Sequence, residues 1–313
     1  MDSAVMSERA LHRDEVVAGP DTVRHLVDTQ FPAGRGWPLA RLRSAGTDNV
    51  MYRLGGDFLV RLPRRPGAAG SLEDELRWLP ELAPQLPVAV PVPAAAGRPD
   101  GDYPWPWAVY RWLPGVDAST AVIEDEDRFA RDLAGFVRAL HAIDVTEIPV
   151  GERPHWYRCD PVSTRDDVTR ENLAACGRLD GFDVDRALVA RVWQEAMSLP
   201  PSRAASCWIH ADLTPFNLLV AGGGLGAVID FGGLAIGDPA IDLMAPWGLL
   251  SPAARSVFYD VLGVDEVDRR RARAWVLSLA LGHHYYWDTH PPFTAYGLRC
   301  LREVLDDYRQ QGG

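Results

Sequence analysis

The chain has 313 residues, of which 47% are hydrophobic and 24% charged, so it is long enough for two domains, or one large one, around a real core. Acidic residues outnumber basic ones by 43 to 32, and the net charge of −11 argues against nucleic acids and anionic membranes as partners. Scattered cysteines without metal-ligand spacing, and the lack of a signal-peptide pattern or a bilayer-length apolar window, predict a cytoplasmic protein with reduced thiols.

Short apolar runs bounded by turn residues dominate the first third of the chain and predict β-strands. Strands are predicted over residues 39–44, 50–54, 58–62 and 107–113. Tight turns separate the first three runs, so these strands should form an antiparallel meander. One helix is predicted to begin near Asp21, and a second to cover residues 71–82 with Ser71 as its N-cap.

Longer amphipathic runs dominate the rest of the chain and predict helices. Helices are predicted over residues 124–143, 166–176, 184–199, 241–250, 252–262, 267–286 and 293–310. A chain with strands first and helices second is typical of an α+β protein. We therefore predict an N-terminal lobe built on an antiparallel sheet, residues 1–113, and a larger, mainly helical C-terminal lobe, residues 114–313.

Three polar side chains stand among strand-like apolar runs in the stretch from Trp208 to Leu243. They are Asp212, then Asn217 five positions later, then Asp230 after one hairpin-length connection. A carboxylate can accept the proton of an attacking hydroxyl, and an amide oxygen with a second carboxylate offers the hard ligands that Mg²⁺ prefers. Phosphoryl transfer depends mainly on such positioning and charge neutralisation. The pattern therefore predicts a phosphoryl-transfer site at the ends of strands.

The segment His210–Asn217, which reads His-Ala-Asp-Leu-Thr-Pro-Phe-Asn, resembles the catalytic loop of the aminoglycoside phosphotransferase family, a relative of the protein kinases. Two later segments, 229–233 and 237–242, resemble the metal-binding segment of that family and the segment that follows it. Turn-forming and capping residues that match by chance are the alternative. The resemblance implies a two-lobed, protein-kinase-like fold that binds ATP or GTP with Mg²⁺. It implies Asp212 as the catalytic base.

In the same family pattern, Asn217 and Asp230 are the implied metal ligands. The resemblance further implies transfer of the γ-phosphate to a hydroxyl of a small molecule. The nucleotide is expected to bind between the two lobes.

Two features of the N-terminal lobe match a phosphate-binding region. The turn with Ser44, Gly46 and Thr47 would let backbone N–H groups and hydroxyls approach phosphate oxygens, although an ordinary β-turn has the same composition. Arg61 lies inside an apolar strand, where a charge needs a partner or a ligand unless it faces water from an edge strand. The resemblance implies a phosphate-binding Lys in this strand, paired with a helix glutamate. Arg departs from that pattern but keeps the charge and can contact phosphate in a bidentate manner.

The partner of Arg61 is predicted on the following helix. Glu75 is preferred over Glu73 because it adjoins the apolar stripe of that helix. The strand end with Tyr110 and Trp112 is predicted to contact the nucleotide base at the hinge between the lobes, with core packing as the alternative for Trp112.

Several polar residues near the central stretch are predicted to have structural roles. His210 is expected to make a structural hydrogen bond rather than to act as a base. Asp238, followed by Pro239, is expected to cap a helical turn, and Asp242 to be a buried bracing carboxylate. The histidine- and tyrosine-rich segment at His283 is expected to pack as an aromatic face rather than to bind metal.

The acceptor is predicted to be a small cationic molecule, since the chain is acidic and its C-terminal lobe offers carboxylates and aromatic rings. The carboxylates are Asp160, Asp166, Asp167, Glu171, Asp183, Asp185, Glu195 and Asp288, and the rings are Trp156, Tyr157, Trp193, Tyr285, Tyr286 and Trp287. The resemblance implies an antibiotic, such as an aminoglycoside or a macrolide. One alternative is a metabolite kinase acting on choline, homoserine or a sugar. Another is a regulatory pseudokinase that only binds nucleotide, which the intact set of Asp212, Asn217 and Asp230 argues against.

Overall fold

The structure is a computed structural model. It describes residues 15–16, 18–42 and 48–311. The predicted phosphate-binding turn with Ser44, Gly46 and Thr47 lies outside the described residues, so its role stays a prediction.

The chain divides into two compact units. Of the described residues, the N-terminal unit comprises those up to Glu81 together with Pro91–Trp112, and the C-terminal unit comprises Leu82–Val90 together with those from Leu113 onward. The C-terminal unit therefore includes a short segment, Leu82–Val90, that in sequence connects the two parts of the N-terminal unit.

The N-terminal unit is a five-stranded antiparallel sheet with helices. Its strands are β1 (Leu39–Arg41), β2 (Asn49–Leu54), β3 (Phe58–Pro63), β4 (Pro93–Gly97) and β5 (Trp107–Arg111), in the sheet order β1-β2-β3-β5-β4. Its helices are α1 (Pro20–Gln30) and α2 (Pro66–Leu82). The predicted meander of the first three strands is confirmed. Residues alternate between buried and partly exposed along β2, and the buried side chains Tyr52 and Leu54 share a core with Leu26 of α1.

Helix α2 begins earlier than its predicted N-cap, Ser71, which lies inside the helix. Pro66 stands at the first position, where its fixed φ suits a helix and its missing N–H costs nothing. Ala68 and Ala69, both buried, then continue the helix with favourable propensity.

The C-terminal unit is mainly helical. Its helices are α3 (Glu126–Ala142), α4 (Asp166–Cys176), α5 (Arg186–Met197), α6 (Pro252–Leu262), α7 (Glu266–Gly282) and α8 (Pro291–Gln310). Its strands are β6 (Val116–Asp117), β7 (Cys207–Ile209), β8 (Leu218–Ala221), β9 (Gly224–Val228) and β10 (Ala235–Gly237). Strands β6, β8 and β9 form one antiparallel sheet, and β7 pairs with β10. Among the described residues no helix is both long and apolar enough to cross a membrane.

Carboxylates at helix starts fix two of these helices. Asp125 accepts a hydrogen bond from the N–H of Arg128 at the start of α3, and Asp185 accepts one from Leu188 at the start of α5. Helices α5, α7 and α8 enclose a core that contains the fully buried Trp275. This core supports β7, which leads into the segment that carries Asp212.

One helix prediction for the C-terminal unit is wrong, and another is four residues too long at its C-terminal end. Only a 3-10 turn over Pro239–Met244 forms in the predicted helix 241–250. Gly248 then adopts a φ of 69°, and a Cβ at that position would lie 2.5 Å from Tyr296. The long helix predicted over 267–286 ends at Gly282 and continues as a separate 3-10 turn, His283–Tyr286.

Candidate active site

The loop that follows β7 is held by one buried carboxylate. Asp242 accepts hydrogen bonds from the backbone N–H groups of His210, at 2.9 Å, and Ala211, at 2.8 Å, and its Oδ2 lies 3.1 Å from Nε2 of His141. Ala211 has a φ of 62°, a left-handed conformation that costs a non-glycine residue roughly 1–3 kcal/mol. Asp242 therefore braces a strained backbone immediately before Asp212, as its predicted structural role requires.

Both ring nitrogens of His210 are engaged, which fixes its tautomer. Nδ1 accepts a hydrogen bond from the N–H of Asp212 at 3.3 Å, so Nε2 carries the proton and donates to the carbonyl of Ile229 at 3.1 Å. The neutral imidazole thus connects the Asp212 loop to the backbone just before Asp230. This is the structural hydrogen bonding expected of His210, and it leaves neither nitrogen available to act as a base.

The carboxylate of Asp212 is held from two sides. Nδ2 of Asn217 donates to Oδ2 of Asp212 at 3.0 Å and to its carbonyl at 2.9 Å. Nη1 of Arg158 donates to Oδ1 at 2.5 Å and to the carbonyl of Ala211 at 3.0 Å. The side chain of Asp212 keeps 29% of its surface exposed, so a ligand can reach it.

The β8–β9 hairpin brings the two predicted metal ligands to the same end. Leu218 pairs with Val228 in this hairpin, and the N–H of Ile229 donates to the carbonyl of Asn217 at 2.9 Å. Asp230 follows with a φ of 62° and an exposed side chain. Because Nδ2 of Asn217 is used by Asp212, the amide oxygen is the atom left for a cation. One amide oxygen and one exposed carboxylate fit a Mg²⁺ ion that keeps several waters.

In the N-terminal unit, Arg61 and Glu75 form a buried ion pair. Nη1 of Arg61 lies 2.8 Å from Oε1 and 2.7 Å from Oε2 of Glu75, whose side chain is fully buried. The hydroxyl of Tyr110 donates to Oε2 of Glu75 at 3.3 Å, and burial, with the Glu75 charge second, raises the pKa of this hydroxyl. Of the two glutamates considered, the structure pairs Glu75 with Arg61.

The two residues predicted to contact the nucleotide base, Tyr110 and Trp112, face different surroundings. The side chain of Tyr110 is buried against Leu72, so only its backbone is open to a ligand role. Trp112 is 40% exposed, with the guanidinium carbon of Arg53 3.8 Å from its ring centre, and its backbone N–H donates to the carbonyl of Asp57. Trp112 is therefore not a core residue, which was the alternative prediction for it.

Aromatic side chains pack against the Asp212 loop. Phe216 of the loop meets Phe293 of α8 edge-on at 4.7 Å, and the ring of His283 lies parallel to Phe293 at 6.3 Å. The pKa of His283 is lowered to about 4, first by burial and then by the charge of Arg158, against the opposing charge of Asp212. The predicted aromatic packing around His283 is present, within electrostatic reach of Asp212.

Sequence reasoning missed Arg158, which comes from the irregular segment between α3 and α4. The N–H of Ile236 in β10 donates to the carbonyl of Pro154, and the N–H of Asp238 donates to that of Cys159. These bonds place the segment beside β10, whose partner β7 leads to Asp212. The sequence signal was a Trp-Tyr-Arg run in an otherwise polar segment, which by itself does not indicate a contact with Asp212.

Five of the eight carboxylates offered as candidates for an acceptor contact have structural partners, among them Asp160, which lies 3.5 Å from His155. Asp166 accepts hydrogen bonds from Trp193 and Arg170, Asp183 pairs with Arg302, Asp185 caps α5, and Glu195 accepts from Tyr308. The cationic character of the acceptor stays a prediction from net charge.

Comparison with known proteins gives the family. The model of the phosphotransferase enzyme family matches residues 40–275. The chain belongs to this family. It is a phosphotransferase that acts on an alcohol group of a small molecule.

Relatives within and around the family agree with the fold. The chain is 27% identical to an aminoglycoside 3'-phosphotransferase from Escherichia coli over 75% of this chain and 87% of that protein. The GDP complex of aminoglycoside 2'-phosphotransferase-IIIa superposes with a TM-score of 0.70 at 23% identity, over 93% of this chain and 100% of the other. Macrolide 2'-phosphotransferase from Brachybacterium faecium gives 0.57 at 26% identity, over 87% and 98%. The protein-kinase-like α+β fold predicted from the sequence is thereby confirmed.

Proposed function

We propose that this phosphotransferase moves the γ-phosphoryl group of ATP or GTP, with Mg²⁺, to a hydroxyl of an antibiotic or antibiotic-like molecule. The acceptor oxygen forms a bond to the γ-phosphorus while the bond between that phosphorus and the β–γ bridging oxygen breaks. The hydroxyl proton passes to the carboxylate of Asp212, and the nucleoside diphosphate leaves.

The observation that carries the proposal is how Asp212 is held. Its backbone follows the strained Ala211, which Asp242 braces, and its carboxylate oxygens are oriented by Asn217 and Arg158. Strain that the surrounding structure maintains directly before a polar residue is typical of a functional site. Such a carboxylate can orient an acceptor hydroxyl without first reorganising its own side chain.

Asn217 and Asp230 are the residues that would hold Mg²⁺. The ion would neutralise charge on the phosphate oxygens during transfer. In the N-terminal unit, the guanidinium of Arg61 keeps its orientation through Glu75, and we assign it to the non-transferred phosphates. The GDP found in a structural relative supports a purine nucleotide as donor.

Names of relatives support the acceptor class, since curated relatives are aminoglycoside phosphotransferases and one structural relative acts on macrolides. A metabolite kinase remains the second candidate, because the geometry of Asp212 serves any alcohol acceptor. We place the activity in the cytoplasm, which suits four cysteines that are all free and buried.

The test is phosphoryl transfer by wild-type protein and Asp212→Asn, measured as nucleoside diphosphate release with and without a panel of antibiotics and metabolites. We expect acceptor-dependent turnover in the wild type. In the variant it should fall about 10²–10⁴-fold, the usual contribution of a positioned acid–base group, with nucleotide affinity retained.

Asp238→Ala is the matched control, because it removes a nearby carboxylate that caps the 3-10 turn and should leave more than half of the turnover. A variant Asp212→Asn with near-normal turnover would remove Asp212 from the reaction. Equal turnover with and without every acceptor would favour a nucleotide hydrolase.

A further inference from the structure

We propose that the acceptor carries a negatively charged group, a carboxylate or a phosphate, which binds a cationic surface beside Asp212. We call this the arginine–aromatic surface and define it as Trp156, Tyr157, Arg158 and Arg165. The inference rests on the proposed function, because it specifies the acceptor class of that site.

The four side chains of the arginine–aromatic surface contact one another. The guanidinium carbon of Arg158 lies 4.3 Å from the ring centre of Trp156 and 5.4 Å from that of Tyr157, and its Nε donates to the Tyr157 hydroxyl at 2.8 Å. The guanidinium carbon of Arg165 lies 4.7 Å from the Tyr157 ring centre. Two positive charges therefore meet at one tyrosine, which is 38% exposed.

Backbone packing holds this surface against the Asp212 loop. Gly233, in the turn before β10, abuts Trp156 so closely that a Cβ there would lie 2.4 Å from the indole. Arg158 then reaches both Asp212 and the carbonyl of Ala211. A ligand group on the surface is thus near the carboxylate that receives the hydroxyl proton.

The two guanidinium groups differ in how their charge is compensated. Arg158 has Asp212 as its ion-pair partner, whereas Arg165 has no carboxylate partner among the residues that the structure describes. Nε of Arg165 is buried without a hydrogen-bond acceptor there. Burial lowers the pKa of Arg165, the phenol of Tyr157 opposes that effect, and Arg158 adds to it. A bound anion would supply the missing counter-charge.

The negative net charge of the chain does not oppose this assignment. At physiological ionic strength the Debye length is about 8 Å, so distant carboxylates are screened and the nearest charges decide what binds. On the same segment, Asp160 is 3.5 Å from His155. A polycation at the arginine–aromatic surface would be repelled by the positive charges of Arg158 and Arg165.

The test compares Arg165→Gln with wild type on three classes of hydroxylated probe. Glucuronate and glycerol 3-phosphate represent acidic acceptors, methyl glucoside a neutral one and kanamycin a polycation. Binding is measured by calorimetry and by quenching of tryptophan fluorescence, and transfer by nucleoside diphosphate release. At least one acidic probe should bind more tightly than methyl glucoside, and its Kd and KM should rise about tenfold in Arg165→Gln, the loss expected for one charge-assisted hydrogen bond. Turnover number should change little.

Arg302→Gln is the control, since it also removes an arginine of the C-terminal unit, but from an exposed ion pair with Asp183. Its affinities should equal those of wild type. The inference is overturned by kanamycin binding better than every acidic probe, by equal affinity of the acidic probes for Arg165→Gln and wild type, or by equal losses in both variants. Asp212-dependent transfer to kanamycin alone would overturn the inference and leave the proposed function standing. Acidic probes that bind through Arg165 without being phosphorylated would support the surface and count against the proposed function.

Discussion

At the scale of single residues, Asp242 stabilises the loop before Asp212, although it lies far from Asp212 in sequence. It is fully buried and satisfies two backbone N–H groups that the left-handed turn at Ala211 would otherwise leave without acceptors. Its predicted role came from the residue pattern alone. The two N–H groups that it satisfies could not be predicted, because an alanine in a sequence does not indicate a left-handed backbone conformation.

Replacement of Asp242 should therefore disturb the loop more than the fold around it. We expect Asp242→Ala to lower the free energy of unfolding by about 2–4 kcal/mol, since it orphans two buried donors. Asp242→Asn keeps one acceptor oxygen and should lose about half of that. Urea titrations followed by circular dichroism measure both values. Asp238→Ala, which removes only a cap, should cost about 1 kcal/mol, and a similar cost for Asp242→Ala would contradict the bracing role.

His283 should make stability depend on pH in a defined window. Its pKa is about 4 in the folded protein, against about 6.5 in an unfolded chain, so the unfolded state binds the proton first as the pH falls. The contribution of the neutral ring is fully present above pH 6.5 and is lost progressively between pH 6.5 and 4. Over that window we expect the wild type to lose roughly 2–3 kcal/mol relative to His283→Phe, which keeps the stacking on Phe293. Parallel pH profiles of unfolding for the two proteins would show that His283 titrates normally.

At the scale of secondary-structure elements, the ion pair between strand β3 and helix α2 could be predicted from the sequence. The residue at which α2 begins could not. An arginine inside an apolar strand requires a counter-charge, and Glu73 and Glu75 on the next helix were the two candidates considered for it. The start of α2 was missed because Ser71 has the composition of a cap, although Pro66 and the alanines after it already favour helix. The 3-10 turns in place of two predicted helical stretches follow from tight packing, such as that at Gly248, which periodicity does not report.

The Arg61–Glu75 pair joins those two elements, and its energetic and functional roles can be separated. Arg61→Ala leaves the fully buried Glu75 carboxylate without its counter-charge and should destabilise the N-terminal unit by about 3–5 kcal/mol. The double variant Arg61→Met/Glu75→Leu replaces the pair with apolar side chains of similar size. The double variant should regain most of that stability. Its nucleotide affinity should be as low as that of Arg61→Ala, because both variants lack the guanidinium.

Thermal unfolding and nucleotide titration of the same samples would test this separation. Nucleotide affinity restored together with stability in the double variant would show that Arg61 supports the strand and does not contact phosphate.

At the scale of the whole molecule, the order of elements, the kinase-like class and the position of Asp212 followed from the sequence. Local charge did not. The expectation of a cationic acceptor, drawn from a net charge of −11, stays a prediction, and it gave no sign that Arg158, from a segment with no regular periodicity, lies against Asp212. Composition averages over the surface, whereas recognition depends on the few charges within a Debye length of the ligand.

Arg61 stands where the family resemblance implies a lysine, and no lysine occurs anywhere in the sequence. All basic side chains other than histidine are arginines. A guanidinium stays protonated and is a poor nucleophile, so it does not react with acyl phosphates or activated esters at neutral pH. Nucleotide analogues that label proteins by acylating a lysine at the phosphate site will leave this phosphotransferase unmodified even when they occupy that site. A survey of nucleotide-binding proteins that relies on such labelling would miss it, and arginine-directed dicarbonyl reagents with nucleotide protection are the suitable alternative.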